Sequence, residues 1–184
     1  MDRSEDLKRL RELLVQRSVR RGDFVLASGK RSTYYVDARL TTMSGQGQVL
    51  IGRLGLEAID RAGWAAQVVG GLTLGADPIA FAMAHAAALA GRPLDAFTVR
   101  KEAKAHGAGK LIEGTFAAGM PVVVVEDVIT TGESALRAAA AIRDAGGLVL
   151  GVLAVVDREE GGRERIEQQN FGVVSLTRVA ELLL

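Results

Sequence analysis

Residues 122–135, VVVVEDVITTGESA, run four valines straight into two carboxylates, then two threonines, a glycine and a serine. An apolar strand ending on Glu126 and Asp127 sets paired acids at the rim of a sheet. The turn that follows, Val128, Ile129, Thr130, Thr131, Gly132, Glu133 and Ser134, leads into a helix. Unpaired N–H groups at a helix start, with the helix dipole behind them, favour an anion. Thr130, Thr131 and Ser134 add hydroxyl donors. The acids would repel that anion, so they suit its hydroxyl groups or a metal. A ligand carrying both a phosphate and vicinal hydroxyls, a ribose phosphate, meets both conditions. The bland alternative is that Thr130, Thr131 and Gly132 only cap a helix. The stretch lacks the Gly-Lys-Ser/Thr ending of a P-loop, and GGLTLGADP at 70–78 is not a dinucleotide fingerprint.

A second cluster is cationic. Arg100, Lys101, Lys104 and His106 crowd into seven positions, with glycines at 107, 109 and 114. Composition alone makes this a solvated loop, but mobile cations also suit capture of a polyanion and exclusion of water. Arg158, in VVDREEGG at 155–162, either pairs on the surface with Glu159 or Glu160 or meets a ligand. Of the two histidines, His85 lies within AMAHAAALA and reads as a helix packing residue.

The surrounding pattern supplies a frame. Ser4 is a plausible cap for a helix over 4–20, with Leu7, Leu10, Leu13, Leu14 and Val15 on one stripe. Residues 23–38 read as two strands around a Ser-Gly turn. A helix runs from Ser44 to about Ala62, closed by Gly63. Short apolar strands at 67–69, 96–100, 121–125 and 148–156 alternate with helices at 78–90 and from 132 or 133 to about 146. Asp77 is expected to cap the first of these, with Pro78 in its first turn, and 101–114 reads as a polar loop. Near-continuous Val/Leu strands alternating with helices predict an α/β fold with a mostly parallel sheet covered on both faces. Ligands of such sheets bind beyond the carboxyl ends of the strands. The 184 residues suffice for one domain, with residues 1–40 as an addition to the core.

Composition excludes several classes. Lys and Arg number 23 against 22 Asp and Glu, so no basic balance points to nucleic acid. The first 31 residues hold nine Lys/Arg against five Asp/Glu, which fits a solvated helix face better than a binding patch. There is no cysteine, hence no disulfide or thiolate metal site. No apolar run approaches the roughly 20 residues of a membrane span, and a cytoplasmic location is expected.

VVVVEDVITTGES resembles the phosphoribosyl-diphosphate motif of type I phosphoribosyltransferases, and RKEAKAHG at 100–107 closely resembles the catalytic loop of the orotate phosphoribosyltransferases. FVLASGKRSTYYVD at 24–37 is similar to the hairpin that packs around orotate, GGLTLGADPIA to the pyrophosphate loop, and VVDREEGG to the strand end where an arginine meets the base. The resemblance runs from about residue 10 to 165. It implies the type I phosphoribosyltransferase fold with a small helix-hairpin hood over the base site. It further implies transfer of a phosphoribosyl group from phosphoribosyl diphosphate (PRPP) to N1 of orotate, giving orotidine 5-phosphate and pyrophosphate in pyrimidine (UMP) biosynthesis. Glu126 and Asp127 would hold the ribose, and residues 128–134 the phosphate. Arg100, Lys101, Lys104 and His106 would meet the pyrophosphate, with His106 a candidate to protonate it. Tyr35, Thr130 and Arg158 would meet orotate, with Tyr34 the neighbouring aromatic. The resemblance also implies Mg²⁺ carried by substrate oxygens without a protein metal cluster, and a homodimer whose mobile loop is shared across the interface. Ala27 and Leu74 stand where some members have lysines, so those two cationic contacts do not transfer. A regulatory nucleotide- and RNA-binding protein of the same fold would lack the intact loop and Arg158. A purine phosphoribosyltransferase would lack this hairpin and loop.

Overall fold

The computed structural model describes residues 2–25, 31–102 and 110–184. Six strands form the central sheet: β3 (Val68–Leu72), β4 (Asp95–Val99), β5 (Ile112–Gly114), β6 (Pro121–Ile129), β7 (Leu148–Asp157) and β8 (Gly172–Arg178). Their order is β5-β4-β3-β6-β7-β8, parallel throughout except for antiparallel β5 at one edge. Val122–Val125 of β6 and Val152–Val156 of β7 are buried on both faces, which is why they read as unbroken apolar runs.

One face of the sheet is covered by α1 (Arg3–Arg17), α3 (Gly45–Arg61) and α4 (Asp77–Leu89). Leu10, Leu14, Ile51, Ile59, Ile79 and Met83 pack there against Val69, Val123, Val125 and Val155. The other face is covered by α5 (Glu133–Asp144) and the short α6 (Gly162–Glu167), through Ala138, Ile142 and Ile166. Outside the sheet, β1 (Val19–Val25) and β2 (Arg31–Val36) form a two-stranded antiparallel ribbon, followed by the single turn α2 (Arg39–Thr42). The residues joining β1 to β2, at 26–30, lie outside the described residues, as does the Ser-Gly turn expected there.

Several local expectations give way. Asp2, not Ser4, caps α1: its carboxylate accepts the Ser4 N–H at 3.0 Å and the Ser4 hydroxyl at 2.6 Å. Val15 points to solvent while Leu10 and Leu14 are fully buried. The cap of α4 is Ala76, and Asp77 turns inward to two threonines. His85 is exposed rather than packed: the buried residues of α4 are Pro78, Ile79, Ala80, Ala82, Met83 and Ala87. Part of the stretch expected as loop, 112–114, is β5, which pairs with β4. Finally, β6 runs on to Ile129, so the two acids sit on the strand itself rather than beyond it.

Candidate active site

From β3 the chain passes to β4 on one side of it, then returns to β6 on the other. This reversal opens a crevice at the carboxyl ends of β3 and β6, where open α/β sheets bind ligands. Pairing between the two strands stops at Gly70 with Val124. Beyond that point β3 keeps only β4, through Leu72 paired with Val99, and β6 keeps only β7, through Ile129 paired with Asp157. Glu126 and Asp127 therefore flank a gap in the sheet.

Asp127 lies beneath the β3–α4 loop. A Cβ added to Gly75 would come 2.7 Å from Asp127 Oδ1, so a side chain there would push the Asp127 carboxylate aside. The same Oδ1 accepts the Val128 N–H at 2.8 Å. Glu126 is 7% exposed, and its Oε2 is buried without a hydrogen-bond partner. Burial first, then the neighbouring Asp127 charge, push its carboxyl well above the ordinary range.

Between Ile129 and Glu133 the chain makes the expected tight turn. Gly132 has φ +74°, and a Cβ there would meet the Gly162 carbonyl at 2.7 Å and Ile166 at 2.9 Å. A side chain in that left-handed conformation would be strained as well as crowded. No side chain caps α5 at Gly132; the nearest help is a long contact from the Glu133 N–H to Thr131 Oγ1 at 3.5 Å. The first turn of this 12-residue helix thus presents amide donors with the dipole behind them. Thr130 and Ser134 are half-buried beside it, and Thr131 is exposed. Arg165 of α6 reaches the Thr131 carbonyl at 3.4 Å, a cation beside the turn that motif reasoning did not find.

A cavity of about 740 Å³ opens at the carboxyl ends of β3 and β4, lined by Thr73, Thr98, Arg100, Lys101, Glu102 and Glu113. Arg100 pairs with Glu113 at 3.2 Å, and Arg137 of α5 donates to the Lys101 carbonyl at 3.1 Å. The start of the basic loop is thereby tied to the helix that follows the acidic strand. Lys104 and His106 lie outside the described residues.

At the end of β7, Arg158 is 6% exposed and its N–H meets the Ile129 carbonyl at 3.0 Å. Its guanidinium lies over the Tyr34 ring, 5.1 Å from the centroid, a cation–π distance. Nη2 is 2.6 Å from Glu160 Oε1, but neither Nε nor Nη2 makes an aligned hydrogen bond. A buried guanidinium with unused donors is poised for an acceptor. Buried Asp157 holds the loop by accepting from the Glu159 N–H and from Arg163 Nε, each at 2.8 Å. On β2 the two tyrosines diverge: Tyr34 takes the Arg158 side, whereas Tyr35 is exposed and stacks 5.7 Å from Phe24. Neighbouring strand positions face opposite ways, and tertiary packing decides which aromatic meets the arginine. Past the ribbon, Arg39 grips Asp37 through Nε and Nη2 at 2.8 and 2.9 Å, and this hydrogen bonding holds the Asp37 carboxyl below its usual range.

No family model matches the chain. It is 50% identical over 177 residues to the orotate phosphoribosyltransferase of Mycobacterium avium, covering 96% of both chains. Among solved structures, the Mycobacterium tuberculosis H37Rv orotate phosphoribosyltransferase in complex with Fe(III) dicitrate superposes with a TM-score of 0.87 at 50% identity, covering 97% of this chain and 99% of that one. The same enzyme in complex with PRPP superposes at 0.83 with 47% identity, covering 97% and 99%. Likeness of that depth along nearly the whole length settles the matter of kinship: the chain belongs to the orotate phosphoribosyltransferases.

Proposed function

We propose that the chain joins N1 of orotate to C1 of PRPP, releasing pyrophosphate and forming orotidine 5-phosphate, a step of pyrimidine biosynthesis. The observation that carries this reading is the crevice between β3 and β6. There, two strand-borne acids and an uncapped helix start meet the carboxyl ends of strands whose neighbours line a cationic cavity, with buried Arg158 at the end of the next strand. The 5-phosphate takes the amides and hydroxyls of 130–134. Glu126 and Asp127 accept from the ribose hydroxyls, which brings C1 toward the cavity. The diphosphate lies among Arg100, Lys101 and the rest of the basic loop. Orotate, an anion, sits at Arg158, whose buried Nε has no acceptor and whose Nη2 would exchange the misaligned Glu160 contact for a carboxylate, with Tyr34 and Thr130 beside the ring and Tyr35 on the other face of the ribbon. As the bond from C1 to the diphosphate oxygen breaks, positive charge grows on the sugar as in other glycosyl transfers. Negative charge grows on the leaving group, where Lys101, Lys104 and Arg100 stabilise it and His106 is the candidate to protonate it.

Mg²⁺ would enter with the diphosphate, since it keeps substrate oxygens and water as ligands rather than requiring a protein cage. The donors lining the cavity, Thr73 and Thr98 hydroxyls with carboxylates nearby, are hard oxygens suited to the waters of such an ion. When bound, it would neutralise charge on the leaving diphosphate. The reading includes a homodimer that shares the basic loop. Exposed Val49, Phe81 and Leu89 around a cavity of about 670 Å³ between α3 and α4 favour a second copy packing there. It also includes one domain over 1–184 with residues 1–40 as a hood, and a cytoplasmic location. Among the described residues no helix is long and apolar enough to cross a membrane.

The test is a base panel. Orotate, uracil, adenine, hypoxanthine and xanthine are offered with PRPP and Mg²⁺, and pyrophosphate release is followed. Orotate is expected to turn over fastest; faster turnover of any purine would sink the assignment.

A further inference from the structure

We infer that Asp77 is a positioning residue for the diphosphate half of the substrate: it fixes the β3–α4 loop by gathering two threonine hydroxyls from two different elements. The inference rests on the reading of the crevice given above.

Asp77 is the first residue of α4, where a carboxylate ordinarily does no more than cap or face the helix dipole. Here the cap position is Ala76, and no side chain caps the helix. The Asp77 carboxylate instead accepts the Thr73 hydroxyl through Oδ2 at 2.6 Å and the Thr98 hydroxyl through Oδ1 at 2.7 Å. Thr73 lies just past β3, and Thr98 is the penultimate residue of β4. The Thr73 N–H also donates to the Val99 carbonyl at 2.8 Å. One carboxylate therefore staples the loop after β3 to the end of β4, next to Arg100 and Lys101. Both threonines line the cavity beside those cations.

The staple matters because of what the loop lacks and what it offers. Leu74 is the exposed side chain at its tip and brings no charge. Among the described residues, the Leu74 and Gly75 amides donate to no protein acceptor. Gly75 is pressed against Asp127, so the loop lies directly over the ribose-binding acids. Any diphosphate contact the loop makes at 74–75 is through those two amides, and amides serve only if the peptide planes are held. Two short hydrogen bonds to one charged group hold them, and hydrogen bonds to charged groups are the stronger kind. Because both hydroxyl protons point at Asp77, the threonine oxygens present lone pairs to the cavity. They hold the wall in place without competing as donors for the diphosphate.

Calorimetry on the purified full-length protein separates this role from a general structural one. Wild type, Asp77→Ala, Asp77→Asn and Thr98→Val are titrated with pyrophosphate plus Mg²⁺ and, separately, with ribose 5-phosphate, which needs only the α5 turn and the acids. In Asp77→Ala, pyrophosphate affinity should fall by about tenfold or more, as when hydrogen bonds to a charged group are lost, while ribose 5-phosphate stays within about twofold. Asp77→Asn keeps one acceptor oxygen and Thr98→Val removes one hydroxyl, so both should show smaller losses of the same selectivity. They decide the matter if the alanine variant does not fold. Equal losses for both ligands, or an unchanged pyrophosphate affinity, would overturn the positioning role with the function intact. Wild-type protein that binds neither ligand would overturn the reading of the crevice and the role of Asp77 with it.

Discussion

Glu126→Gln should stabilise the protein at neutral pH while weakening its proposed work. Burial, and then the Asp127 charge, raise the Glu126 carboxyl well above its ordinary value of 4.5. A raised value in the folded state means that the folded protein holds this proton more tightly than the unfolded chain does. The stability this permits is fully present below pH 4.5 and is lost as pH rises through the folded value. Across that window the loss runs up to about 1.4 kcal/mol per pH unit for one proton. Glutamine has nearly the same shape and cannot ionise, and the site already leaves Oε2 without a partner, so little else changes. The variant should match wild type near pH 4 and pull ahead as pH rises. In a chain of 184 residues each kcal/mol corresponds to roughly 2–4 °C in Tm. Thermal unfolding by circular dichroism between pH 4 and 9, without ligand, gives both curves. Parallel curves, or wild type gaining on the variant as pH rises, would refute the reasoning. Hydroxyl donors of a bound ribose favour the ionised acid, and a carboxamide accepts from them more weakly than a carboxylate, so the same substitution should lower turnover.

Three further outcomes are expected. Arg158→Ala should raise the KM for orotate by about tenfold or more, the cost of losing hydrogen bonds to a charged group, and leave the KM for PRPP nearly unchanged; a matching rise in both would place Arg158 outside the base site. Leu14→Ala, at a fully buried position where α1 meets the core, should cost about 2–5 kcal/mol in urea denaturation; a loss under about 1 kcal/mol would make α1 an appendage. Mixing inactive Lys104→Ala with inactive Asp127→Asn should restore roughly a quarter of the sites if subunits exchange at random in a two-fold dimer that shares the loop beyond Lys101; no recovery after proven exchange would confine each loop to its own chain.

The frame was legible wherever burial writes itself as composition. Val122–Val125 and the apolar run of β7 lie inside the sheet, and their sequences say so. The edges were not legible. The three residues of β5 are strand only because β4 offers an antiparallel partner, and the mixed pattern of β8, GVVSLTR, reflects a strand at the sheet's rim. At the site, the acids announced themselves by interrupting an apolar run, and the loop and Arg158 by family likeness. What the pattern could not reveal was pairing in space. Tyr34 rather than Tyr35 meets Arg158, Asp77 serves two threonines rather than a helix end, and Asp157 anchors Arg163. Each depends on which neighbour the fold delivers, and local propensity carries no record of that.

The unequal lengths of the strands explain why the chemistry collects where it does. β3 and β4 have five residues each, whereas β6 has nine and β7 ten. All four point the same way, so the longer pair overhangs the shorter. On the overhang, β6 keeps β7 on one side and has no strand on the other beyond Val124. A sheet edge of this kind is normally a liability that must be covered. Here the β3–α4 loop covers it through Gly75, close enough that a Cβ there would displace the Asp127 carboxylate. The loop stays there because Asp77 holds it to β4. Two strand-borne acids, an uncapped helix start and the cationic residues after β4 are thus brought to the carboxyl ends of adjacent strands. Strand length gathers these groups at one end of the sheet before any side chain makes contact with a ligand.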